Sequence, residues 1–192
     1  MQPELDWRVR PIEPAEVADT SIAFAAGART DLFTDPAGSD PKADAPLLLG
    51  QPTGDFKLRA RVSAPLVSTF DAAALVVWTS PTEWGKLALE YSPQREVTIV
   101  SVVTRGVSDD ANSFSVPEPF AWLRIGRSGE TIAFHASLDG LWWSLIRLFT
   151  FPGAGRASAG FLVQSPTGAG LRGAFDEIEW HAGPLRELRD GS

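Results

Sequence analysis

Residues 55–63 read DFKLRARVS, and their alternation decides the fold class. Phe56, Leu58, Ala60 and Val62 share one side of an extended chain while Lys57, Arg59 and Arg61 share the other. That is the period-two pattern of a strand with one face buried and one wet. Farther along, AALVVWTS (73–80) and EVTIVSVVT (96–104) are β-branched and apolar on both sides, as central strands covered on both faces are. Between them KLALEYS (86–92) sets Leu87, Leu89 and Tyr91 on one face and Lys86, Ala88 and Glu90 on the other. Because its neighbours are doubly covered, this second face is expected to line a groove rather than bulk solvent.

The pattern continues through AWLRIGR, TIAFHASL, WWSLIRLFTF, SAGFLVQS and LRGAFDEIEW, each bounded by Gly, Pro or Asp-Gly. Seventeen glycines and fifteen prolines leave no long window of helical periodicity. The expectation is an all-β protein of about twelve strands in two packed antiparallel sheets of the jelly-roll kind. Asp139-Gly140 reads as a two-residue hairpin turn, because both residues tolerate positive φ. In FDEIEW the apolar Phe175 and Ile178 are three apart, which predicts a bulge. TDPAGSDPKADAPLLLG (34–50), with its Asp-Pro and Ala-Pro pairs, reads as a surface loop, and the charged residues 183–192 as a frayed tail.

At 192 residues the chain fits one sandwich domain, with its core at about residues 5–182. It is 44% hydrophobic and 10% aromatic, and no apolar run approaches the roughly 20 residues that cross a bilayer. No export signal core is present at MQPELDWRVRP, so the cytoplasm is the expected compartment. A net charge of -7 argues against nucleic acid and anionic membrane surfaces as partners. With no cysteine, disulfides and thiolate chemistry are excluded, and the two histidines, His135 and His181, form no local metal motif. No cofactor is expected: TGAG lacks the lysine and helix of a phosphate loop. Asp31, Asp35, Asp40 and Asp44 fit no calcium loop and read as solvated acids.

The order TDLF, GDFKLRARV, FDAAALVVWTSPTEWGKLALEY, VTIVSVVTRGVSDD, SLDGLWWSLIRLFTFP and GFLVQSPTGAG resembles the family known as domain of unknown function 1349. The resemblance implies a concanavalin A-like lectin and glucanase sandwich. It also implies a recurring polar set at Trp84, Lys86, Glu90, Thr104, Ser108, Asp109, Arg147, Gln164 and Ser165. Where the family often has an aromatic residue after the Ser-Asp pair, Asp110 stands here, so an aromatic wall is either missing or supplied by Phe114.

Lys86, Glu90 and Arg147 interrupt apolar strands, and if buried they must pair with one another or meet a ligand. Carboxylate, amide and guanidinium groups suit a polyhydroxylated ligand, with an aromatic face covering its C–H surface. The leading expectation is therefore a groove for a carbohydrate or similar polar small molecule, in which Glu90 and Arg147 share one pocket away from the Asp-rich loop. The alternative is a non-catalytic structural or protein-interaction domain whose charges satisfy one another. Glycoside hydrolysis needs two carboxyl groups across the scissile bond, and Glu90 with Asp109 is the pair to test. Trp142 and Trp143, read as one strand, point to opposite faces, which makes at least one of them a core residue.

Overall fold

The computed structural model describes residues 2–38 and 41–191. One seven-stranded sheet runs β1 (Leu5–Val9), β6 (Leu47–Gly50), β15 (Ser158–Gln164), β8 (Ala72–Ser80), β9 (Glu83–Tyr91), β10 (Val97–Arg105) and β11 (Val107–Ser115). The second runs β14 (Ser144–Phe149), β13 (Thr131–Ser137), β12 (Phe120–Ser128), β7 (Phe56–Ser63), β16 (Gly170–Ala182), β3 (Ser21–Gly27) and β2 (Glu16–Ala18). A two-stranded ladder joins β4 (Leu32–Phe33) to β5 (Lys42–Ala43). Neighbouring strands pair antiparallel throughout, and one 3-10 turn, Ala154–Arg156, is the helical element among the described residues. The expected two-sheet sandwich is the observed one. The sixteen strands among the described residues exceed the expected dozen because β2, β4 and β5 are ladders of two or three residues, too short to show a period.

Alternation places the core. In β7, Phe56, Leu58, Ala60 and Val62 are buried between the sheets, where they meet Leu75, Leu87, Ile99, Phe134 and Phe161. The opposite residues of β8 to β10 build a second apolar cluster on the outer face of the first sheet, where Val76, Trp78, Trp84, Ala88, Val100 and Val102 join Leu47 and Leu162 of the same sheet and Leu32 and Ala45 of the covering segment. The segment around β4 and β5 thus covers that outer face, which is why the central strands are apolar on both sides. The reading of residues 34–50 as a surface loop is corrected: residues 42–43 pair with β4, Ala45 is buried, and residues 47–50 form β6 of the first sheet. Asp40 lies outside the described residues.

The expected bulge is present in β16, whose register to β7 shifts between Asp176 and Glu179. Glu177 there adopts φ 49, so Phe175 and Ile178 both turn inward. The tail is docked rather than frayed: Leu185 is buried against Gly126, and the Leu188 carbonyl bonds His135 Nε2 at 2.9 Å. His135 is a buried structural side chain, its pKa pushed down to about 4 by burial first and by the nearby Arg124 charge second.

The Asp139-Gly140 hairpin also differs from its expected form. β13 and β14 are joined by residues 138–143, and only Gly140 of the pair has positive φ, at 74. Asp139 instead accepts from the Leu141 and Trp142 amides at 2.8 and 2.9 Å, capping a wider loop. Both tryptophans therefore precede β14, and neither is a core residue. Trp142 is 82% exposed and Trp143 lies half-buried under the Arg124 guanidinium, 4.1 Å from its ring centroid. A Cβ at Gly140 would stand 3.2 Å from the Trp122 ring on a left-handed backbone. Gly140→Val is thus expected to lower the unfolding free energy by about 1–3 kcal/mol, and an unchanged denaturation midpoint would refute this turn geometry.

Candidate functional site

Residues opposite one another on neighbouring strands share a face, so registers alone draw the site. One row across the outer face of the first sheet runs Val76, Lys86, Val102 and Asp110. A second row runs Gln164, Ala72, Glu90 and Thr98. Between them stand Ala74, Ala88 and Val100, small enough to leave space above the sheet. That space is a cavity of about 320 Å³ whose floor is Lys86, Glu90, Gln164, Val100 and Val102. Asp31, Phe33 and Asp35 form one wall, and Phe70 and Asp110 stand elsewhere on its rim.

Lys86 is the hub. Its ammonium is fully buried and donates to the Leu32 carbonyl at 2.7 Å and to Gln164 Oε1 at 2.8 Å, with Asp31 Oδ1 at 3.9 Å. Gln164 is oriented in turn by donating from its amide to the Phe70 carbonyl at 3.3 Å. Burial pushes the Lys86 pKa down, opposed by Asp31, Glu90 and Asp110. It pushes Asp31 up, opposed chiefly by Lys86.

Glu90 differs from these. It is 8% exposed and lines the cavity, yet no hydrogen bond or ion pair from the described residues reaches its carboxyl group. Burial raises its pKa to about 7, only partly opposed by the Lys86 charge and reinforced by Asp31 and Asp110.

Phe70 is a second irregularity, a non-glycine residue at φ 69, 40% exposed beside the cavity. Its backbone is pinned by bonding from its amide to the Tyr91 carbonyl at 2.8 Å and by the Gln164 contact. Such a conformation persists only where its surroundings over-determine it.

The nine family positions divide into three groups. Lys86, Glu90 and Gln164 meet in the cavity. Trp84, Thr104 and Ser108 lie one row farther along the same face and are buried beneath its wall. Trp84 donates from Nε1 to the Pro81 carbonyl at 3.3 Å. Ser108 Oγ bonds Thr104 Oγ1 at 2.9 Å and accepts the Thr34 amide at 2.9 Å, so these residues anchor the covering segment. Ser165 likewise holds the Phe70 turn through Asp71 at 2.7 Å.

Asp109 and Arg147 lie elsewhere. Asp109 is opposite Val103, a residue of the inter-sheet core, and Arg147 reaches it from β14 with Nη2 to Oδ1 at 2.9 Å. The same guanidinium donates to the Asp109 carbonyl at 3.1 Å and the Ser101 carbonyl at 3.4 Å. The expectation that Glu90 and Arg147 share a pocket is therefore corrected: they stand on opposite faces of the first sheet. The same separation removes Glu90 with Asp109 as a hydrolytic pair, which must flank one bond. With side chains 21% and 63% exposed, the Arg147–Asp109 pair is wet. Arg147→Ala is expected to cost only about 0.5–1 kcal/mol in chemical denaturation; a loss above about 3 kcal/mol would mean the pair acts as a buried one.

The aromatic wall also differs from expectation. Phe33 and Phe70 supply it, whereas Phe114 packs against the inter-sheet core near Trp142. Asp31 and Asp35, read as solvated loop acids, face this cavity, and Asp110 joins them through its pairing with Val102. The parity of Asp110 with Ser108 was the available signal; for Asp31 and Phe33 there was none, since their segment has no period. No group of three or more His, Asp or Glu among the described residues is arranged to hold a metal ion.

Residues 7–182 match the family model described as "Protein of unknown function (DUF1349)". Over 144 residues, covering 74% of this chain and 72% of the relative, the sequence is 29% identical to "Regulation of enolase protein 1" of Saccharomyces cerevisiae. The crystal structure of a functionally unknown protein from Saccharomyces cerevisiae superposes with a TM-score of 0.86 at 22% identity, over 93% of this chain and 96% of that one. A xylan beta-1,4-xylosidase from Bacillus halodurans C-125 shares the sandwich at a TM-score of 0.68 and 12% identity. This chain is covered over 94% of its length there but spans only 39% of the xylosidase, so the likeness is one of fold.

Proposed function

The chain belongs to the DUF1349 family of proteins of unknown function, and from that premise and its cavity we propose that it binds a carbohydrate or similar polyhydroxylated small molecule on the outer face of its first sheet. The observation that carries this reading is Glu90, a buried carboxyl group without a protein partner that faces open space. Its oxygens open on the cavity rather than being sealed off, so a ligand group that bonds them would take the place of water there. Sugar hydroxyls both donate and accept, and they suit Glu90, the Gln164 amide and Asp110, while Phe33 and Phe70 offer faces to C–H surfaces. A cavity of about 320 Å³ lies at the small end of the roughly 300–1,000 Å³ typical of ligand sites. The sandwich likeness to part of a xylosidase lends the ligand class support from fold alone.

A second reading, a structural or protein-interaction domain, draws on Lys86, whose ammonium is satisfied by Leu32, Gln164 and Asp31 without any ligand. A glycan array followed by calorimetric titration separates the two. The expected result is binding of at least one saccharide, weakened about tenfold or more in Glu90→Gln by loss of a charge-assisted hydrogen bond. Full affinity in that variant would move the site elsewhere and favour the structural reading.

A further inference from the structure

Resting on the reading of this cavity as a ligand site, we infer that its ligand carries a protonated amine, an amino sugar within the carbohydrate class, whose ammonium group pairs with the Glu90 carboxylate. The first reason is the charge around the cavity. Asp31, Asp35, Glu90 and Asp110 line it against one cation, Lys86. That cation is already engaged, since its two short hydrogen bonds run to the Leu32 carbonyl and Gln164 and its nearest acid is Asp31. Glu90 receives only longer-range attraction from it.

The second reason is independent of the acids as a group. Glu90 is more than nine-tenths buried, unpartnered, and directed into the cavity, so the position that would complete its hydrogen bonding lies in the space a ligand would fill. An ammonium group supplies donors and the missing charge together. A neutral sugar supplies hydroxyl donors without the charge, and a uronate adds a further negative charge beside four carboxyl groups. The aromatic wall points the same way, because the faces of Phe33 and Phe70 attract cations; the Lys86 ammonium already lies 5.9 Å from the Phe33 centroid.

The test is calorimetric titration of the full chain at pH 7 with four probes: glucosamine, glucose, glucuronate and putrescine, an amine without hydroxyls. Amide chemical shifts of Phe33, Phe70 and Glu90 would locate the binding. Glucosamine is expected to bind about tenfold or more tighter than glucose, with glucuronate weakest, and Glu90→Gln is expected to bring glucosamine down to the level of glucose. Equal affinities for glucosamine and glucose, or a preference for glucuronate, would overturn the amine inference and leave the carbohydrate reading standing. Putrescine binding at Glu90 with no sugar bound would support the amine and remove the carbohydrate. No binding by any probe overturns both. Since Glu90 is buried, near-ultraviolet circular dichroism checks that its variant folds. Asp110→Asn, at the exposed rim, is a second variant expected to reduce the advantage of glucosamine about two- to threefold.

Discussion

Lys86→Met is expected to lower the unfolding free energy by about 3–5 kcal/mol at pH 8, the range for removing one member of a buried charged group and leaving its partners uncompensated. Methionine keeps the aliphatic stem, so the loss isolates the ammonium. Without it the Leu32 carbonyl and Gln164 Oε1 lose a donor and Asp31 loses its nearest cation. Lys86 also opposes the burial that raises the pKa of Asp31 and of Glu90, so both would rise further in the variant. The sign for an acid raised on folding is definite. Its unfolded form ionises first, so the folded state loses stability as pH climbs from the unfolded value toward the folded one. The Lys86→Met penalty should therefore be smallest near pH 4 and grow toward pH 8. Urea titrations at the two pH values measure it, and a midpoint at pH 8 equal to that of the natural chain would sink the hub role.

Gly160→Ala is expected to cost about 3 kcal/mol or more and to lower Tm by about 6–12 °C. A Cβ at Gly160 would stand 2.0 Å from the Leu48 carbonyl oxygen and 3.0 Å from the Leu48 carbonyl carbon and Leu49 Cα. These are backbone atoms of β6, which is held between β1 and β15 and cannot withdraw without breaking a ladder on one side or the other. A thermal scan showing Tm within 2 °C of the natural chain, with the melt still cooperative, would show that the strands separate at little cost.

How far sequence reading reached depended on whether a position belonged to a periodic run. The faces of β7 and β9 followed from alternation, and with them the placing of Lys86 and Glu90 on one groove-lining face. Arg147 escaped that logic. Parity says which side of its own strand a residue occupies, but a long guanidinium stem crosses to another strand, and here it found Asp109 at the sheet edge. Trp142 and Trp143 were misplaced because their parity assumed that the strand began before Ser144. The tail is docked by Leu185 and by the Leu188 carbonyl on His135, contacts that no local pattern reveals amid charges that read as solvated. The wall of the cavity is hidden most deeply: Asp31 and Phe70 lie in irregular backbone and Phe33 in a two-residue ladder, their path set by tertiary contacts such as the Ser108 bond to Thr34, which no local pattern encodes.

The cavity has a rigid half and an adjustable half. Its floor is three central strands locked on both sides by ladders, where insertion or deletion of one residue would turn every side chain over. Its wall is a short ladder and two turns held by a few side-chain bonds, and lengthening such a surface segment costs little, since each doubling of a flexible loop adds only about 0.6 kcal/mol. Diversification among proteins built on this floor should therefore proceed through the wall. Lys86 and Glu90 would stay as a fixed electrostatic address while the segment around Phe33 and Asp35 is rewritten to fit new occupants. A library randomised over residues 33–38 of this chain is accordingly a more promising route to altered selectivity than one over the strands beneath it.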